Sequence, residues 1–234
     1  AALSLAAITR PIENAWRTFM QTRKGLLTNF SCTLWQSAAM LLVGLPGASG
    51  LTTKAIAANA VTGAWSSGFI GWDVRTCCVF DDKLYFGTGD GAIKEGDTGG
   101  SDDGTAYQAI CIPSFDMMKV PVEKIALHAR ATIKTNYPFT FQLFANADYE
   151  VDTPSPGTAD TIDGTNVWGS GVWGTMKWSA SSLETKGVTS RWQSVAASGY
   201  VLAPGISLTI GGTVAPDVEL TDIQLQAEFG EVMG

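Results

Sequence analysis

A single histidine, His128, serves all 234 residues, and charged side chains make up only 16% of them. No Gly-x-Ser-x-Gly elbow surrounds a serine, so a Ser-His-Asp arrangement would rest wholly on His128, in a stretch whose neighbours are Ala126 and Arg130. Adjacent carboxylates such as Asp102 and Asp103 could be paired as general acid and base, but in a polar loop they read simply as solvated side chains. The expectation is a chain with no catalytic centre and no cofactor.

Clustered Lys and Arg are missing as well, and the net charge is -7. Neutralising a phosphate backbone requires such clusters, so specific nucleic-acid binding is excluded, whereas an acidic lumen that repels DNA fits a conduit through which DNA passes. No apolar run is long enough to span a bilayer: Ser37 to Val43 is far too short. Ala1 to Ala7 has no basic residue ahead of it and runs into Thr9-Arg10-Pro11, which does not read as a secretory signal. The four cysteines, Cys32, Cys77, Cys78 and Cys111, show no Cys-x-x-Cys spacing, which argues against zinc. Cys77 and Cys78 would face opposite sides of a strand, and the set reads as buried free thiols suited to a reducing cytoplasm.

What the chain does have is 45% hydrophobic residues, 26 glycines and eight tryptophans. That is enough to bury a core, and together with the low charge it predicts an all-β protein with tight turns that buries part of its surface in partners. Thr9 as N-cap, Pro11, Glu13 in the first turn and the spacing of Ile12, Trp16 and Phe19 or Met20 predict a short amphipathic helix at the start. Strands follow at Ala39 to Val43, Lys54 to Val61, Arg75 to Phe80 and Lys83 to Phe86. Asp81-Asp82 forms the turn between the last two, and Gly87 to Gly91 reverses the chain into Ala92-Ile93. These strands read as one propeller-like blade over roughly Leu26 to Glu95. A blade takes roughly 40 to 50 residues and a ring needs about four to eight of them. The remaining blades are therefore expected outside this sequence or in other subunits.

The loop from Gly96 to Gly104 contains no apolar residue and sets the expected boundary between a first domain, 1–103, and a second, 104–234. Beyond it, Ala106 to Ile112 is a strand. Val122 to Thr135 alternates as a long strand with Ile125, Leu127, Ala129, Ala131 and Ile133 inward and His128 and Arg130 outward. Phe139 to Ala145 and segments beginning at Arg191, Tyr200 and Glu219 add strands of a β-sandwich-like domain, and Asp148 to Gly164 reads as an exposed loop.

The Thr62-Gly-Ala-Trp65 segment, the turn Asp81-Asp-Lys-Leu-Tyr-Phe-Gly-Thr-Gly-Asp-Gly91, the Asp97 to Gly104 loop and the ending from Pro204-Gly-Ile to Glu228-Phe-Gly-Glu together resemble virion proteins of tailed bacteriophages. The likeness is to the propeller-bearing hub or nozzle proteins of short-tailed phages, also called packaged-DNA stabilisation proteins. It implies a six-fold ring of copies next to adaptor or portal proteins in the phage tail, assembled in the host cytoplasm. Such a ring retains and later conducts the genome and offers sites for tail fibres. The family supplies no catalytic residues.

Two groups remain as candidate sites. Asp97, Asp102 and Asp103, in a glycine-rich loop, offer hard oxygen ligands for calcium, although their spacing fits no EF-hand. Trp168, Trp173 and Trp178, five apart among glycines, predict core or subunit contact, with glycan stacking as the rival role. The alternative function is accordingly a glycan- or receptor-binding module of a tail fibre or surface protein.

Overall fold

The computed structural model describes residues 9, 12–47, 54–66, 68–136, 140–162, 187–212, 214 and 216–230. Among these residues the fold is all-β apart from one short α-helix and a 3₁₀ turn. The chain divides into two compact units, Ala1–Thr98 and Gly99–Gly234, and the division falls in the loop between Gly96 and Gly104.

The first unit opens with helix α1, Glu13–Thr22. Ile12, Trp16 and Phe19 share one face, as their spacing predicts, and pack against Val43, Leu45 and Ile56. Glu13 sits in the first turn, where its charge meets the helix dipole, and pairs with Arg17 at 3.0 Å. Thr9 does not cap this helix. A tight turn in which Ile12 N donates to the Thr9 carbonyl at 3.0 Å comes first, so Ile12 occupies the cap and Thr9 lies one turn too early.

Two antiparallel sheets follow. The first is a meander of β1 (Ser31–Trp35), β2 (Met40–Leu45), β3 (Lys54–Asn59) and β4 (Phe69–Ile70); the second is β5 (Thr76–Phe80), β6 (Lys83–Gly87) and β7 (Ile93–Gly96). Alternation along β2 divides its side chains between two cores. Leu42 meets Val74, Leu84 and Phe86, whereas Val43 and Leu45 meet the helix. The first sheet therefore lies between α1 and the second sheet.

The strands read from the sequence as one blade belong to two sheets. β4 lasts only two residues, Gly71 at φ +92 redirects the chain, and Trp72 stacks on Phe69 at 4.7 Å and on Phe86 at 5.0 Å. That stack carries the next strands across to face the first sheet instead of extending it. Neither sheet closes on itself, and no propeller ring forms among the described residues. The Asp81-Asp82 turn is as expected. Both residues have positive φ, +49 and +60, in a two-residue connection between paired Phe80 and Lys83.

The second unit is a sandwich. One sheet centres on β13 (Leu202–Gly212), with β8 (Tyr107–Cys111) on one edge and β10 (Phe141–Ala147) on the other; β11 (Asp160–Ile162) joins it in parallel. The other sheet places β9 (Lys124–Thr135) between β12 (Gly187–Gly199) and β14 (Val218–Phe229). Ala126, Ala129, Ala131, Ile133, Phe141, Leu143, Val195, Leu202 and Ile206 form the shared core. The Gln193 side chain also links the sheets: its amide accepts from Leu143 N and donates to the Phe141 carbonyl, both at 2.9 Å, replacing a strand partner for β10. The loop read at Asp148 to Gly164 contains β11, a pairing of only three residues that leaves no periodic signal.

Inward placement of Ala129, Ala131 and Ile133 is as read, but Ile125 is 50% exposed and Leu127 only half-buried. A bulge is the cause. Facing β14, the step from Gln226 to Ala227 matches the step from His128 to Ala126, so Leu127 is an extra residue and the pattern changes phase. Lys124 and Ala126 then point inward in place of Ile125.

Candidate functional site

The carboxylates offered as calcium ligands are not assembled into a site. Among the described residues no group of three or more His, Cys, Asp or Glu is placed to hold a metal ion. Asp97 is exposed at φ +58. Asp102 and Thr105 exchange two backbone hydrogen bonds, 2.8 and 2.9 Å, around Asp103 and Gly104, whose φ values are +51 and +82. These aspartates shape turns, the ordinary use of Asp beside Gly. Trp168, Trp173 and Trp178 lie outside the described residues.

His128 projects from β9 on the exposed face, with Ser194 opposite on β12 and Gln226 opposite on β14. Ser194 Oγ lies 3.5 Å from the Leu127 carbonyl, to which it donates, and not toward the imidazole.

The cysteines correct the sequence reading. All four are free and Cys77 faces the core, but Cys32, Cys78 and Cys111 are exposed. They stand on β1, β5 and β8, each an edge strand among the described residues. Partial covering of its thiol, and secondarily Cys77, raises the Cys32 pKa.

Two surfaces stand out instead. In the first unit, Cys77, Val79, Leu84 and Phe86 turn toward the core. The other face of β5, β6 and β7 therefore presents Phe80, Cys78, Tyr85 and Ile93. Phe80 is 73% and Ile93 80% exposed. Lys83 and Glu95 cross this face at 3.2 Å, and the hydrogen bond to Glu95 raises the Lys83 pKa. Apolar side chains at the strand ends of the first sheet, Leu34, Phe69 and Ile70, are exposed as well.

In the second unit, three rungs run across the outward face of β12, β9 and β14: Ser194–His128–Gln226, Trp192–Arg130–Gln224 and Ser190–Thr132–Asp222. The Arg130 guanidinium lies 5.0 Å from the Trp192 ring centre, within cation–π range. Its Nη2 donates to Gln224 Oε1 at 2.6 Å, and Gln224 Nε2 donates to Asp222 Oδ2 at 2.7 Å. Sequence reading took Arg191 to Ala196 simply as a sandwich strand. The available signal was alternation, which puts Trp192 on the face opposite the buried Val195. No family model, curated protein or solved structure matches the chain.

Proposed function

We propose that this chain is a structural subunit of a tailed-phage virion. It acts as one copy in a symmetric ring, six-fold as the resemblance implies, at the hub, nozzle or head-to-tail connection. Its work is mechanical. Apolar faces buried between copies and neighbouring tail proteins hold the channel shut around the genome until ejection, and no residue performs chemistry. The negative net charge suits a lumen that DNA crosses without binding.

The observation that carries the reading is the outward face of β5, β6 and β7. Phe80 and Ile93 leave most of their surface in water on a sheet whose other face is already packed. Such a face demands burial by something outside the unit, as a propeller blade demands its neighbours. Sedimentation velocity on the chain at micromolar concentrations is expected to show an oligomer, and Phe80→Glu with Ile93→Glu is expected to give monomers with unchanged circular dichroism. A monomeric wild-type chain over that range would contradict the ring.

A further inference from the structure

We propose that the outward face of the β12–β9–β14 sheet is a binding site for an acidic saccharide, centred on Trp192 and Arg130. The inference stands independently of the ring. Its observations lie within the second unit, and the indole was not among the tryptophans singled out from the sequence.

A sugar ring has one apolar face of C–H groups and a rim of hydroxyls, so its receptor needs a flat apolar platform bordered by donors and acceptors. Trp192 supplies the platform. It is 46% exposed in the middle of a strand, among the polar side chains of the three rungs, with the Arg130 guanidinium over its ring. The border is supplied by Ser194, His128 and Gln226 on one side and Ser190, Thr132 and Asp222 on the other, all turned the same way by the strand register. Two residues of strand separate neighbouring rungs, so the three span about 13 Å, the reach of a short oligosaccharide. Beside the first rung, where the register of β12 against β9 shifts between Ser194 and Ala197, lies a shallow groove of about 480 Å³ lined by Ile125, Leu127, His128, Ser194, Ala196 and Ser198.

Arg130 decides the charge of the ligand. Among the described residues no carboxylate meets its guanidinium: Gln224 stands between it and Asp222 and orients it over the indole. By contrast Lys134, on the same face, is paired with Glu219 at 3.4 Å. Arg130 Nε is covered by the protein without a hydrogen-bond partner. Such an arrangement lowers stability, and a threonine in the same strand would avoid the penalty. The geometry thus keeps a cation unneutralised next to a stacking platform, the pairing that a pyranose bearing a carboxylate would use, through ring stacking and a charge-assisted hydrogen bond.

The test uses the full chain on an array of oligosaccharides that carry uronic or sialic acids, followed by calorimetric titration with the best-bound member and with the same sugar after its carboxylates are reduced to alcohols. Saturable binding is expected, weakened about ten-fold or more by Trp192→Ala, by Arg130→Gln and by reduction of the sugar. Thermal melting of both variants checks the fold, and Trp192→Phe, which keeps an aromatic platform, is expected to retain part of the affinity. Absence of binding to every acidic saccharide, binding undiminished in folded Trp192→Ala, or equal affinity for the reduced sugar would overturn the proposal.

Discussion

Lys124 is fully covered, yet among the described residues its ammonium group meets carbonyls and no carboxylate. Nζ donates to the carbonyls of Val120 and Tyr200 at 2.7 Å and of Val122 at 2.9 Å. Three donors meet three acceptors where the chain enters β9 and where it turns from β12 into β13. Lys124→Met would fill the same volume and strand all three carbonyls, so unfolding in urea is expected to show a loss of about 2–4 kcal/mol. A loss within experimental error would mean that the lysine only fills space. Sequence gives no warning of this residue, because a lysine beside Glu123 reads as solvated surface and only the phase change at Leu127 turns it inward.

At the scale of elements, the connection from β6 to β7 shows why tight turns are the most legible part of this chain. Thr88 N donates to the Ala92 carbonyl at 3.0 Å, Gly91 adopts φ +86, and the Thr88 hydroxyl hydrogen-bonds to the Asp90 carboxylate. That hydroxyl first, and then the Ala92 amide, lowers the Asp90 pKa from its ordinary 3.8. A carboxyl whose folded pKa is depressed adds stability that is present above its unfolded value and disappears as pH falls through the folded value. An NMR titration of Asp90 is therefore expected to give a midpoint below 3.8, restored toward that value in Thr88→Ala. A midpoint at or above it in the wild type would contradict the turn geometry. Turns such as this one and Asp81-Asp82 can be read because their determinants sit within a few residues of one another. The inward set Ala129, Ala131 and Ile133 was legible for the same reason, through strict alternation. The division of the strands between two sheets was not, since it rests on Trp72 reaching Phe86 fourteen positions on, a contact with no local signature. The bulge at Leu127 was equally hidden, being defined by the partner strands and not by β9 itself.

At the scale of the whole molecule, each unit has a core of its own and a surface that its fold leaves unused. The first unit presents Phe80 and Ile93 on an open sheet; the second presents Trp192 and Arg130 on the outside of a sandwich. One is apolar and suits burial against protein, while the other is a hydrogen-bonding rim around an indole and suits a polar ligand. The proposed tail subunit would use both, assembly through one domain and contact with a surface sugar through the other. Of these two surfaces the sequence exposed the apolar one only indirectly, through low charge and an incomplete propeller, and left the Trp192 row unmarked because cross-strand neighbours are invisible until the register is known.

The central claim, a place in the virion, is tested most directly by quantitative mass spectrometry of DNA-filled particles purified on a density gradient from the source lysate, with the capsid protein as internal standard. The account requires peptides of this chain at a small fixed ratio to capsid, corresponding to one ring per particle. Their absence from washed, DNA-filled particles, with the chain recovered elsewhere in the lysate, would contradict it.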